Sequence, residues 1–246
     1  MKEQSTKPKR RFYLRFTLRT LLVVMTAICL LLGWKVNQAK RQRDVVTWIE
    51  KHAGIVTYQY QTERDPFSND PEPEPPGPTW LRNIIGIDFF DEVIRVEFHG
   101  SAITELTPLA NLSGLTYLNI SETQVDDLTP LAKLPHLTRL HLRQTQVRDL
   151  TPLSRLTDLE YLTVFDAHVD YLAPLAKLTK LKQLGLSDIP ARDVTPLEML
   201  VHLELLEIRI SNVSNERLGE LHKQLPNLEI IGPDGIHWMP LKDKDE

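Results

Sequence analysis

The sequence contains a single cysteine, Cys29. One thiol excludes an intramolecular disulfide and any cysteine-built metal site, so packing must hold the fold. A charge excess is also missing: 29 Lys and Arg stand against 33 Asp and Glu, a net charge of −4. That balance points to no nucleic-acid partner. The signatures of common active sites are absent as well. No H-E-x-x-H, P-loop, G-x-S-x-G or G-x-G-x-x-G occurs, so nothing marks the chain as an enzyme, and no cofactor is expected. A last scarcity is local. Residues 1–43 hold only one acid, Glu3, beside eleven Lys and Arg, which leaves the remainder clearly acidic.

That basic stretch flanks a hydrophobic run, which is a membrane pattern before it is a nucleic-acid one. Residues 20–34 read TLLVVMTAICLLLGW without a charge. As a helix they span about 22 Å, short of a hydrocarbon core of about 30 Å. Starting at Phe16 adds a turn and includes Arg19, whose side chain can snorkel to the headgroups. Phe12, Tyr13 and Phe16 before the run and Trp34 after it sit like interface aromatics. A cleavable signal peptide needs small residues after the core, and LLGWKVNQAKRQ offers no A-x-A site. Ile28 before the mid-run Cys29 argues against a lipoprotein, and Arg10-Arg11 lacks the rest of a twin-arginine motif. The best fit is a basic cytoplasmic tail (residues 1–15) followed by an uncleaved transmembrane signal anchor (16–34). Seven Lys and Arg precede the run and four follow it closely. This predicts a cytoplasmic N-terminus, attachment to the cell (inner) membrane and a main body on the extracytoplasmic side.

Residues 35–63 read as a juxtamembrane helix ending near Gly54, then a strand in IVTYQY (55–60). Residues 64–80 hold PEPEPPGP, whose prolines fix φ and remove donors, so a linker is expected. Trp80, Leu81, Ile84 and Ile85 recur at helical spacing. With residues 81–95 they are expected to cover the open apolar end of a repeat array that begins at residue 96.

The array has a period of 22. Prolines fall at Pro108, Pro130, Pro152, Pro174 and Pro196, each followed by leucine. One unit is LANLSGLTYLNISETQVDDLTP and the next LAKLPHLTRLHLRQTQVRDLTP. Within each, two apolar residues alternate with polar ones: Val96/Phe98, Leu118/Ile120, Leu140/Leu142, Leu162/Val164, Leu184/Leu186 and Leu206/Ile208. Alternation is the period of a strand. Strands this short cannot stand alone, so copies must stack in parallel and share a core. Val125, Val147 and Val169 turn inward after the strand. The D-L-T-P-L segment makes a short helical or 3₁₀ return, with proline where a missing N–H is harmless. The acids opening these returns, Asp127, Asp149 and Asp193, fit capping better than calcium. The fold class is therefore an α/β solenoid over residues 96–210, preceded by a transmembrane helix. After Pro196 the phase slips, and 211–236 read as a C-terminal cap with a true helix at 215–224, followed by a charged tail, 237–246.

The pattern L-x-x-L-x-x-L-x-L…V-x-D-L-x-P-L resembles the short bacterial leucine-rich repeat typified by internalins. The N-terminal RFTLRTLLVV resembles the anchor of bacterial leucine-rich repeat proteins. The resemblance implies a horseshoe with a parallel concave sheet that binds a protein or peptide partner. It also implies an Asn five residues after the central leucine. Here those positions hold Ser101, Thr123, Thr145, Ala167, Ile189 and Ser211. Thr and Ser can replace part of the Asn bonding, but Ala167 and Ile189 cannot, so looser turns are expected late in the array. In this family the residues flanking the strand leucines face the concavity. The middle rows there combine Tyr117, Tyr161 and Phe165 with Arg139, His141 and Arg143, the side-chain types enriched in binding hot spots. These six are the candidate partner-binding residues, weighed against the ordinary solubilising mixture of any sheet face. His99 and His141 share a column two strands apart, about 9 to 10 Å, too far for one zinc ion.

Overall fold

A computed structural model describes residues 18–63, 73–100, 102–209 and 212–240. The basic tail 1–15, most of the proline-rich linker, Ser101, Ser211 and the last residues of the tail lie outside the described residues.

The apolar run and the stretch after it form one uninterrupted helix, α1 (Leu18–Lys51), and not an anchor followed by a separate juxtamembrane helix. Nothing between Trp34 and Lys51 breaks it, since Gly33 stands alone and no proline intervenes. The chain divides into two compact units within this helix, residues 1–38 and 39–246. In the first, the apolar window is wholly exposed, and it is long and apolar enough to cross a membrane by length and composition. The Thr26 hydroxyl donates to Leu22 O at 2.8 Å, which satisfies its polar group inside the helix.

In the second unit, residues 39–51 of α1 turn amphipathic. Val45, Val46 and Ile49 are buried and join the core of the repeats. Trp48 packs edge-on against Phe98, 5.9 Å between rings. The helix stops where Gly54 N–H bonds Ile49 O, with Ala53 in the left-handed region at φ 55. Gly54 itself is required by packing, because a Cβ there would lie 2.5 Å from Ile49. Strand β1 (Ile55–Tyr58) then pairs antiparallel with β2 (Val93–Glu97). Between them lies α2 (Thr79–Ile85), which buries none of its residues. Trp80 and Ile84 remain 64% and 69% exposed. At this end Val45, Val46 and Ile49 of α1 and Val56 and Tyr58 of β1 pack on the core, and of residues 81–95 Val93 joins them, while Trp80 and Ile84 stay exposed. Helical spacing in a seven-residue segment does not say which face finds a partner.

A buried polar cluster holds this end together. Asp88 Oδ1 accepts from Gln42 Nε2 at 3.1 Å and from the Tyr58 hydroxyl at 2.9 Å. Arg43 Nε stands 3.4 Å from Asp88 Oδ2, and Asp91 Oδ2 accepts the Tyr60 N–H at 2.9 Å. Burial and the neighbouring Asp88 carboxylate push the Tyr58 hydroxyl far above its ordinary pKa, so it stays a donor.

From β2 the array is regular. Strands β3 (Tyr117–Asn119), β4 (Arg139–Arg143), β5 (Tyr161–Phe165), β6 (Gln183–Ser187), β7 (Leu205–Glu207) and β8 (Glu229–Ile231) stack in parallel, in sequence order. Leu118, Leu140, Leu162, Leu184 and Leu206 are aligned partners across successive strands. Each is at most 1% exposed, as are the second inward residues from Phe98 to Ile208. Burying each such side chain is worth about 1.5–3 kcal/mol. The returns are five 3₁₀ turns, with proline in the first turn of each and a fully buried leucine after it. Asp127, Asp149 and Asp193 accept the N–H of Thr129, Thr151 and Thr195 at 2.8, 2.8 and 2.9 Å, an Asx turn one residue ahead of the N-cap position, which is itself apolar and makes no side-chain bond.

The turns after β2 to β6 share one backbone conformation. Gly100, Glu122, Gln144, Asp166 and Asp188 all adopt positive φ between 52° and 60°. Glu122, Gln144 and Asp166 donate their N–H to carbonyls of the next strand: Arg143, Phe165 and Ser187. Backbone bonding to the neighbouring repeat sets this turn, so Ala167 and Ile189 simply bury as apolar groups. Thr123 does supply a hydroxyl bond, to Ile120 O at 2.7 Å.

At the far end α3 (Asn215–Gln224) is capped by Ser214, whose Oγ accepts Arg217 N–H. Beyond a 3₁₀ turn at Pro233–Gly235 the chain returns as β9 (His237–Trp238), antiparallel to β8. The start of the expected tail is therefore a closing strand. Both ends of the parallel sheet finish in an antiparallel strand.

Candidate functional site

The side chains alternating with the buried leucines fill the opposite face of the sheet in three aligned rows. One row runs Arg95, Tyr117, Arg139, Tyr161, Gln183, Leu205. The next runs Glu97, Asn119, His141, Thr163, Gly185, Glu207, and the third places Arg143 beside Phe165 and Ser187. All six predicted residues thus fall on one contiguous area of β3, β4 and β5. Adjacent strands are about 4.8 Å apart, so neighbours in a row touch.

The first row is a ladder of cations on rings. The Arg95 guanidinium lies 3.7 Å from the Tyr117 ring centre and that of Arg139 4.5 Å from Tyr161. Arg95 had no place among the six candidates, although its position 22 residues before Tyr117 completes an Arg-Tyr-Arg-Tyr alternation visible in the sequence. It is also tied to Glu97, 2.6 Å away. His141 sits beneath these groups. Its ring is 5.3 Å from that of Tyr117, and Nδ1 is 2.9 Å from Thr163 Oγ1. Burial, aided by Arg95 and Arg139, lowers its pKa below the ordinary imidazole value. The imidazole is therefore neutral at pH 7 and acts as a hydrogen-bonding wall, not a cation.

Phe165 leans over β6. A Cβ on Gly185 would come within 2.5 Å of its ring, so this glycine is what seats the phenylalanine. Beside it is a hollow of about 90 Å³ lined by His141, Tyr161, Thr163, Gly185 and Leu205 among others. This hollow escapes a reading of the sequence, because it depends on the register that sets Gly185 opposite Thr163 and near Tyr161 and Leu205.

A larger hollow, about 400 Å³, opens beside the starts of the strands, lined by Glu160, Lys180, Lys182, His202 and Glu204 among others. Its charges are matched internally: Lys180 pairs with Asp158 at 2.6 Å and Lys182 with Glu160 at 2.9 Å. It leaves no ammonium free for a ligand, whereas Arg139 and Arg143 on the sheet face have no carboxylate partner among the described residues. The described residues contain no group of His, Cys, Asp and Glu able to hold a metal ion.

No family model and no curated protein matches this sequence. Solved structures do. Internalin C2 of Listeria monocytogenes is 31% identical over 61% of this chain and 75% of its own, with a TM-score of 0.50. Internalin F of the same organism is 33% identical over 54% of this chain, with a TM-score of 0.50; the chain spans 38% of that protein's length. A leucine-rich repeat protein of Leptospira interrogans shares the fold at 24% identity and a TM-score of 0.52, over 56% of this chain and 36% of its own.

Proposed function

This chain belongs to the internalin-like family of bacterial leucine-rich repeat proteins, and on that premise we propose that it recognises a protein or peptide partner through the sheet face of its middle repeats. One observation carries the reading. Two aromatic rings and two unpaired arginines gather on adjacent strands, with Tyr117 and His141 beside them and no acid among the outward residues of β3, β4 and β5. Aromatic and arginine side chains at the centre of a surface are the groups that dominate interface energies. The leucine-rich repeat fold is an architecture for protein–protein interaction, and a sheet face this open lacks the enclosed pocket that catalysis needs. We infer a binding role without chemistry.

The same proposal makes residues 16–34 a single-pass signal anchor in the cell membrane, with 1–15 cytoplasmic and the repeats extracytoplasmic. The exposed apolar window of α1 and the excess of Lys and Arg ahead of it support this. A reporter active on only one side of the membrane, fused to Glu246, is expected to signal from the extracytoplasmic side. Cytoplasmic activity would reverse the orientation.

Alanine at Arg143 and Phe165 tests the binding role. Both side chains face away from the core, so the variants are expected to fold as the parent does but to lose partner recovery from solubilised membranes. Unchanged recovery would leave the sheet face passive and favour a structural role in the envelope.

A further inference from the structure

Arg139 and Arg143 stand on the same side of β4, four residues apart. In an extended strand that separation is about 13 Å. Every other arginine along this face is already matched: Arg95 to Glu97 at 2.6 Å and Arg209 to Glu207 at 2.8 Å. The two central guanidinium groups are exposed. No acid near this surface lies within ion-pair distance of either guanidinium among the described residues. Glu122, Asp166 and Asp188 lie in the turns at the strand ends, and Glu97 and Glu207 are engaged with their own arginines. Beside His141, which separates the two free cations along β4, and toward β6 lies the 90 Å³ hollow, lined by Tyr161, Thr163, Gly185 and Leu205 and by the Glu207 that pairs with Arg209. Its volume is about three waters' share of liquid, enough for an aliphatic side chain.

We propose that the partner presents an acidic segment in extended form, with the order acid, any residue, aliphatic, any residue, acid. Residues i, i+2 and i+4 of a strand point to one side, and their outer pair spans the same distance as Arg139 and Arg143. Each carboxylate takes a two-pronged bond from one guanidinium, a geometry that lysine cannot reproduce. The middle side chain enters the hollow beside His141 and Tyr161. This inference rests on the sheet-face binding role and names the chemistry of its occupant.

The test is selection from a random display library of segments about a dozen residues long against the full chain in detergent. Enriched segments are expected to carry the acid–x–aliphatic–x–acid order. A synthetic peptide of that order should lose about tenfold or more in affinity with Arg139→Gln and again with Arg143→Gln. Replacing its two acids by amides should have the same effect, and circular dichroism should report an unchanged fold for each variant. Enrichment of basic or uncharged segments overturns the proposal, as does failure to enrich any. So does an acidic peptide indifferent to both substitutions, since it would be held elsewhere, for instance near Lys180 and Lys182. Failure of the underlying reading looks different: the Arg143→Ala and Phe165→Ala variants would then keep the native partner. If they lose it while selection returns no acids, only the acidic chemistry is wrong.

Discussion

Along strands β3 to β7 the aligned residues facing away from the core are Tyr117, Arg139, Tyr161, Gln183 and Leu205, whereas one step inward they are leucine five times. The same backbone thus carries two kinds of information. An inward side chain meets only its equivalents in neighbouring repeats, so a shape that fits once must fit every time, and the array selects the same residue. Outward side chains answer to no such neighbour rule. Where they differ from strand to strand, folding has not dictated them, and that is where a partner can have done so. The internal repeats and the two ends differ in the same spirit. Repeats hold by copies of one contact, while the first end depends on a single cluster around Asp88 that has no equivalent elsewhere among the described residues.

Four substitutions and one titration probe this contrast. The largest effect is expected from Leu140→Ala. The side chain is fully buried between Leu118 and Leu162, and its removal should cost about 2–5 kcal/mol by denaturant unfolding. A loss below about 1 kcal/mol would mean that the repeats can collapse around a cavity. Next comes Asp88→Ala, which leaves the Tyr58 hydroxyl without its acceptor and takes one acceptor each from Gln42 and Arg43, which keep Asp91 O and Ile85 O. A cost of about 3 kcal/mol is expected, with hydrogen exchange quickening first in residues 39–58. Uniform quickening along the array would refute the special status of that end. Asp149→Ala removes the Asx-turn bond to Thr151 N–H ahead of a 3₁₀ turn, worth about 1 kcal/mol. Arg143→Ala should change stability by no more than about 0.5 kcal/mol, because it faces outward and pairs with no acid among the described residues.

The smallest effect concerns His141. Its folded pKa lies below the ordinary imidazole value through burial, with Arg95 and Arg139 adding to it. The unfolded chain therefore binds the proton more readily. The contribution to stability is complete above the unfolded value of about 6.5 and is lost as pH falls toward the folded one. Between pH 7.5 and 5.5 the parent should lose slightly more thermal stability than His141→Asn, and identical slopes would show that the group makes no such contribution.

Much of the fold was legible because the 22-residue phase is written in proline and leucine, residues whose roles in a 3₁₀ return and a core are unambiguous. Helix α3 was readable from its Ser214 start and its length. Other features were hidden for physical reasons. Strand β9 is two residues long and has no period to detect. The closing role of residues 39–51 was masked because an exposed apolar helix runs into them without a break. Positive φ at Glu122, Gln144, Asp166 and Asp188 leaves no trace in residue type, so the shared turn conformation could not be read from the sequence. The six candidate residues could be placed from the leucine register alone. The hollow beside them needed the register that sets Gly185 opposite Thr163.

The central claim is that the sheet face of the middle repeats, and not the opposite side, meets the partner. Site-directed photocrosslinking in intact cells tests it most directly, with the crosslinker placed at Thr163 between the candidate residues or at Lys177 on a 3₁₀ return. The account predicts a discrete crosslinked protein from position 163, abolished by Arg143→Ala, and none from position 177. Equal crosslinking from both positions, or a product from 177 alone, would contradict it.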